Sequence, residues 1–537
     1  MNFINKKTAL LSCFAATSLA VNAADERPNI LWVMIEDWST DMGCYGTAGV
    51  ETPVFDKLAA DGMLFTDAYT TAPVSSAARS AMMTGYYQNF IGGNQHREHN
   101  KQPLPYGIRP IPQLMEDAGY HTHLACWKTD LNFGPYEKED IFMDTRDWKD
   151  HKPGEKFFGV GCEEGQPFFT RITFGGTHRA WSRDAVRPIE TGDVELPPYY
   201  ADTEYIRRDW ANGLEQLQIT DREVGELLDQ LEKDGYADNT LVIFLGDNGR
   251  CHIRGKQFLY EPGTKVPMII RWPGKVEPGT VNNDLVMAID IAPTCAEIAG
   301  AKSSIPFQGQ DIFGKKISKR EYVFTARDKM DETHDAMRAI RSKDGYKLIH
   351  NLMPERPYLT YNQYKEGGYP PLAEMMVLFL EGKLTKEQAA FFAPTKPEYE
   401  LFDLNKDPHE IKNLADDPSY AKIKAELIKE LTKWQKMVND KGVTEEFRAD
   451  GAFPKVNPEE SVDAFVFKNH DKYDFNKYGW PIWYPTRSLE EWKEIRNAWV
   501  PYIFRKPGTE HARPDIIKDY KAKQEAKAAA KAKAASN

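Results

Sequence analysis

The 537-residue chain carries no excess of positive charge, no metal-type cysteine spacing, no internal repeat and no apolar run of bilayer length. Each absence narrows the function. A net charge of -11 argues against a nucleic-acid partner, because phosphate binding wants a basic face. It leaves room for an anionic substrate, since a few Lys and Arg can line a cleft in an acidic protein. Of the six cysteines, Cys13 falls in the leading segment, and the other five (Cys44, Cys126, Cys162, Cys251, Cys295) are an odd set without paired spacing. That pattern is not a disulfide scaffold. The one apolar stretch, Thr8 to Val21, is shorter than the ~20 residues a membrane helix needs. Lys6-Lys7 ahead of it and Val21-Asn22-Ala23 behind it read as a signal peptide over residues 1–23, so export to the periplasm or beyond is expected.

What is present points to an α/β protein. The length calls for a large domain and a smaller companion. Ile30-Leu31-Trp32-Val33-Met34-Ile35 and Leu241-Val242-Ile243-Phe244-Leu245 are continuous apolar runs, as in strands buried on both faces. The first stops at Glu36-Asp37 and the second at Asp247-Asn248-Gly249. Between them, Leu217 to Lys233 has helical apolar spacing and ends before Gly235. Strands alternating with helices imply a largely parallel sheet, whose ligands gather beyond the carboxyl ends of the strands. After residue 336, Ala339-Ile340-Arg341 and Tyr346-Lys347-Leu348-Ile349 form a predicted hairpin turning at Asp344-Gly345, and Ile423 to Trp434 a predicted amphipathic helix. The expected division is a catalytic domain over 24–335, a small α+β domain over 336–440, an aromatic-rich wrapping extension over 441–510 and a Lys/Ala tail over 511–537.

The run Ser75-Ser76-Ala77-Ala78-Arg79-Ser80-Ala81-Met82-Met83-Thr84-Gly85 sets a hydroxyl and a guanidinium about one helical turn apart. With the acidic clusters at 36–37 and 247–248, this describes an anion-ester hydrolase.

The run also resembles the maturation signature of formylglycine sulfatases (Cys or Ser, any residue, Pro or Ala, any residue, Arg). The resemblance extends through Pro28-Asn29-Ile30-Leu31, Gly43-Cys44-Tyr45-Gly46, Thr52-Pro53, Gly119-Tyr120, Asp247-Asn248-Gly249, Val266-Pro267 and Glu400 to Glu410. It implies an alkaline-phosphatase-like large domain, with a mostly parallel mixed sheet between helices and a smaller C-terminal α+β domain. It further implies that Ser75 is oxidised by a serine-type maturase to formylglycine, whose hydrate supplies the attacking oxygen. Glu36, Asp37, Asp247 and Asn248, joined by an oxygen of modified Ser75, would hold one metal ion. All-oxygen ligation favours calcium. The family usually has Asp where Glu36 stands, so Glu36 is either a ligand or an outer acceptor. Arg79, Lys128 and Lys256 would stabilise charge on the sulfuryl group, and His178 would serve as general acid. Where the family has Lys, one residue, then His, this chain has Lys128-Thr129-Asp130; Asp130 either replaces the base or orients Lys128. His96, Arg97, His252 and Arg254 are candidates for holding the rest of the substrate, Arg327 to Asp335 for a substrate loop. Trp480, Trp483 and Trp499 either stack on sugars or anchor the extension.

The reading is an exported sulfatase acting on a sulfated carbohydrate, with a marine galactan such as carrageenan as first candidate. The rivals are a two-zinc phosphomonoesterase or phosphonate monoester hydrolase using unmodified Ser75, and a catalytically silent glycan-binding relative.

Overall fold

The structure, a computed structural model, describes residues 27–97, 101–314, 320–331, 333–360, 362–445 and 488–509, with 513, 514, 526 and 529. The expected signal peptide, Trp480, Trp483 and nearly all of the Lys/Ala tail lie outside the described residues. No helix among the described residues is long and apolar enough to cross a membrane.

Seven strands form the main sheet: β1 (Asn29–Ile35), β2 (Met63–Phe65), β5 (His121–Leu124), β6 (Phe168–Phe174), β7 (Thr240–Gly246), β8 (Met268–Arg271) and β9 (Thr280–Asn282), in the order β5-β6-β1-β7-β8-β2-β9. β3 (Ala68–Tyr69) pairs with β10 (Val286–Met287). A second sheet runs β14-β13-β12-β11-β4, from β4 (Gln95–His96), β11 (Tyr322–Met330), β12 (Thr333–Ser342), β13 (Tyr346–Asn351) and β14 (Tyr399–Asp403). The helices are α1 (Pro53–Ala60), α2 (Ser75–Thr84), α3 (Ile111–Asp117), α4 (Glu204–Lys233), α5 (Glu261–Thr264), α6 (Ile291–Ala299), α7 (Gln363–Gly368), α8 (Pro370–Leu380), α9 (Lys386–Ala389), α10 (Ala421–Met437) and α11 (Leu489–Ile503).

β1 lies parallel between β6 and β7, and all seven of its residues are buried. Alternate side chains go to opposite faces of a strand. Leu31, Val33 and Ile35 accordingly pack with Leu217 and Val224 of α4, whereas Ile30, Trp32 and Met34 pack with Met82 and Met83 of α2. Two covering layers explain why this strand reads as unbroken apolar sequence. β8 runs antiparallel to both β7 and β2, which makes the sheet mixed. The fold is therefore an α/β sheet between helices, mostly parallel, beside a separate C-terminal sheet.

That second sheet is antiparallel from β11 to β14, with β4 added parallel at its edge. It begins upstream of residue 336 and borrows two residues from the first hundred. Leu427, Leu431 and Trp434 of α10 cover it against Ile340, Leu348 and Leu401. Two expectations change. The expected Arg327 to Asp335 substrate loop instead has Arg327 to Met330 in β11 and Thr333 to Asp335 in β12, with Arg327, Asp328 and Asp335 buried. Part of the aromatic-rich extension is regular: α11 packs on α8 and α4, with Trp492 and Trp499 fully buried as anchors.

Candidate active site

Four strand ends build the site. Glu36-Asp37 follows β1 and Asp247-Asn248 follows β7. The two turns are locked together, as Asp247 N donates to Ile35 O (3.0 Å) and Trp38 N to Asn248 O (3.0 Å). β6 delivers Thr177-His178, and β5 delivers Lys128 and Asp130. The parallel register leaves all four carboxyl ends on one edge, where a doubly wound sheet places its ligand.

α2 brings the hydroxyl to this edge. Val74 is its extended N-cap and has no capping side chain, so Ser75 is the first helical residue and not the cap. Its hydroxyl donates to Asn248 Oδ1 (3.0 Å) and lies 3.5 Å from Asp37 Oδ1. Every residue of α2 is buried, and the helix stops at Gly85, whose φ of 77° and close approach to Phe307 admit no side chain.

One turn on, Arg79 spans the two acidic clusters. Its Nη2 donates to Glu36 Oε1 (2.6 Å) and Asp247 Oδ2 (2.8 Å), and its Nε to Asp247 Oδ2 (3.0 Å). Lys256 Nζ donates to Asp37 Oδ2 (2.8 Å), while Lys128 Nζ stands 3.6 Å from Glu36 Oε1. Burial alone would raise the Glu36 carboxyl, but Arg79, Lys128 and His178 pull it down to about 2. Asp130 is likewise opposed by burial and brought to about 2 by Arg79 and Lys128. A carboxylate that acidic is a poor proton acceptor at neutral pH. Asp130, 3.8 Å from Arg79 Nη1, suits orienting cations better than base catalysis. Its loop is pinned to α2, because Asn132 N donates to Ser80 Oγ (2.7 Å).

His178 Nδ1 bonds the Arg179 carbonyl (2.8 Å), which turns Nε2 toward Asp37 Oδ2 at 3.6 Å. Tyr364 of α7, which sequence reasoning missed, places its hydroxyl 3.2 Å from His178 Nε2 and 3.3 Å from Asp37 Oδ2. Lys256 Nζ sits 4.9 Å from the centre of its ring. No spacing signal marks Tyr364, because the second sheet region carries it across the molecule to the cluster.

Four carboxylates (Glu36, Asp37, Asp130, Asp247) face Arg79, Lys128 and Lys256 here, and the buried Arg171 guanidinium also acts on Asp130 and Asp247. Burial and the Asp37 and Glu36 charges hold Asp247 above the usual carboxylate range, despite Arg79. The donors that the cluster offers are all oxygen. That chemistry fits a hard cation. Among the described residues no three His, Cys, Asp or Glu side chains converge closely enough to hold an ion by themselves, so Asn248 and Ser75 would have to complete the set.

Three motif neighbours are not part of this cluster. His96 is buried behind α2, where its Nδ1 meets Ser76 Oγ (2.9 Å) and Ser76 N (3.3 Å); burial pushes its pKa down to about 3. It is a neutral prop for the helix start. His252 is enclosed by Trp210, Trp181 and Trp38 at ring distances of 4.4, 5.3 and 6.3 Å. Arg254 is buried over Tyr260 and donates to the His409 and Glu410 carbonyls, tying the main sheet to the C-terminal sheet region. In this structure the contacts of these three side chains are with protein groups around the cluster. Arg97 is exposed and lines the cleft with Glu36, Lys128 and His178.

The sulfatase family profile matches residues 28–301, just over half of the chain. An ulvan-active sulfatase of Formosa agariphila is 33% identical over 457 residues, covering 77% of this chain and 76% of that protein. The chain belongs to the sulfatase family. As its relatives are sulfuric ester hydrolases, this sulfatase is an enzyme of that class. A second profile, described as N-sulphoglucosamine sulphohydrolase, C-terminal, matches 249–367 and 385–437. Human N-sulphoglucosamine sulphohydrolase is 26% identical over 485 residues, 79% of this chain and 93% of the relative. The phosphonate monoester hydrolase of Agrobacterium radiobacter superposes with a TM-score of 0.57 at 18% identity, covering 78% of the sulfatase and 99% of that chain. At such identity the likeness speaks for the shared fold.

Proposed function

We propose that this sulfatase is exported and removes sulfate esters from a sulfated polysaccharide, using a formylglycine made by oxidation of Ser75. The observation that carries the reading is the Ser75 hydroxyl 3.0 Å from Asn248, inside one buried cluster with Arg79 and Lys256. In this proposal a hydroxyl of the aldehyde hydrate attacks sulfur and the sugar oxygen leaves. The second hydroxyl then expels sulfate as the aldehyde re-forms. Arg79, Lys128 and Lys256 surround the charge that develops on the sulfuryl oxygens. His178, with Nε2 facing the cleft, protonates the departing sugar oxygen. Asp37, Asp247, Asn248 and the residue-75 oxygen would hold a calcium ion, which polarises the ester and acidifies the hydrate. Glu36, already engaged by Arg79 and Lys128, fits the outer-acceptor role better than direct ligation.

Relatives active on ulvan and on N-sulphoglucosamine support a sulfated glycan as substrate, with carrageenan kept as a candidate polymer. Sulfate release from ulvan, carrageenan and heparan sulfate by enzyme co-produced with a serine-type maturase tests the activity. Mass spectrometry of the peptide over residues 70–90 tests the nucleophile, with a loss of about 2 mass units expected at Ser75. Unaltered serine in a fully active sample overturns the mechanism. Metal analysis is expected to return one calcium per chain, and two zinc ions would favour the phosphatase or phosphonate hydrolase reading instead.

A further inference from the structure

A cavity of 1370 Å³ opens from the active site, far more room than one sulfated sugar fills. Glu36, Lys128 and His178 stand at its inner end. One wall is a single face of α4, where Gln216, Ile219, Glu223, Glu226, Gln230 and Lys233 recur at alternating spacings of three and four residues. From Gln216 to Lys233 that face is roughly 26 Å long at the α-helical rise. The cavity is therefore an elongated groove. The opposite wall is the 147–156 loop with the turn at Trp127.

The facing wall is built before any ligand arrives. Asp234 Oδ2 accepts the Phe157 and Phe158 N–H groups (2.9 and 2.8 Å), and Gln230 Nε2 donates to the Glu155 carbonyl (3.0 Å). Trp148 stacks on His151 at 4.8 Å within the loop. The chemistry lining the groove is two-sided. Lys149, Lys156 and Lys233 are exposed along it, and the carboxylates of Asp147, Glu155, Glu223, Glu226, Asp229 and Asp234 line it beside them. Trp127, 64% exposed, stands at the active-site end beside Lys128, whose Nζ lies 4.7 Å from its ring centre.

We propose that this groove is an extended glycan-binding site that holds several consecutive sugars of a sulfated polymer, with Trp127 as the stacking platform next to the scissile ester. Spaced lysines match sulfates repeated along a chain, carboxylates accept from sugar hydroxyls, and an indole face matches the apolar face of a pyranose. The inference rests on the sulfatase reading above, and binding can be read independently of turnover.

The test uses the full chain carrying Ser75→Ala. Size-fractionated di-, tetra- and hexasaccharides of ulvan, carrageenan and heparan sulfate are titrated by calorimetry, beside sulfate release by the unsubstituted enzyme. For at least one polymer, Kd is expected to tighten by about tenfold from di- to hexasaccharide, or about 1.4 kcal/mol. Lys149→Glu with Lys156→Glu and Lys233→Glu should abolish that gain, and Trp127→Ala should weaken every length. Affinity independent of length in all three series, or a length dependence that survives the charge reversals, overturns the groove. Length-dependent binding by a chain that never releases sulfate overturns the catalytic reading and keeps the groove.

Discussion

The Tyr364 hydroxyl touches two groups at once, His178 Nε2 and Asp37 Oδ2, and so sets the angle at which the imidazole meets the cleft. Tyr364→Phe removes those contacts but keeps the ring against Lys256. We expect kcat to fall about tenfold with KM and the thermal midpoint little changed, because in the proposed mechanism the lost contact orients the proton donor. Steady-state kinetics with a melting curve checks it, and an unchanged kcat rejects the role. Lys256→Ala should cost more, on the order of 100-fold in kcat/KM, since it removes a charge that the proposed mechanism aims at the sulfuryl group and strips Asp37 of its buried partner. Sulfate-release assays decide that point. At this scale the sequence was informative where a short motif carries both the chemistry and the backbone that aims it. Ser75 and Arg79 share one helix, and Glu36-Asp37 and Asp247-Asn248 cap adjacent strands. Nearness to a motif was a poor guide. His96, His252 and Arg254 sit beside site segments, but their local backbone turns them toward α2, a tryptophan cage and the C-terminal sheet region.

Among the elements, α4 does three jobs along its 30 residues: it covers the main sheet, lines the groove and caps a neighbouring helix. The last depends on Asp221, which accepts the Phe55 and Val54 N–H groups (2.8 and 3.2 Å) in the first turn of α1. Asp221→Ala leaves those donors unsatisfied and should destabilise the fold by about 1–2 kcal/mol, measured by denaturant unfolding. Burial raises the Asp221 carboxyl from 3.8 to about 6 in spite of those bonds. A folded pKa above the unfolded one means the folded state holds the extra proton between those values. The Asp221 contribution is thus greatest below pH 3.8 and is lost as pH rises to about 6. Asp221→Asn should flatten that part of the stability profile, and an unaltered slope would reject the assignment. Strands and helices were legible in proportion to their burial. β1 and β7, covered on both faces, read as apolar runs. The first half of α4 did not, because Arg208, Asp209, Asn212 and Glu215 are buried there among ion pairs and interrupt the apolar spacing.

Over the whole molecule, the second sheet and α11 act on the main sheet and its helices from outside. α11 lies against α8 and α4, and its last turn with the chain just after it grips the segment that follows His178. Tyr502 donates its hydroxyl hydrogen to the Trp181 carbonyl (2.9 Å), and Arg183 Nη1 donates to the Arg505 carbonyl (2.7 Å). Trp499→Ala opens a large cavity beneath this grip and should cost about 3–5 kcal/mol. Thermal unfolding measures the loss. Residual activity at a temperature where the variant remains folded should also drop, through kcat, as the His178 segment loosens. No local pattern in the sequence announces this coupling, because its partners are 322 residues apart. The grip also makes the far end of the chain a determinant of the site. Removing residues 488–509 would take away the Tyr502 and Arg505 contacts and leave those of His178 with Arg179 and Tyr364 in place. A proteolytic nick so far from Ser75 would therefore slacken the stretch after His178 without removing any residue that surrounds the hydroxyl.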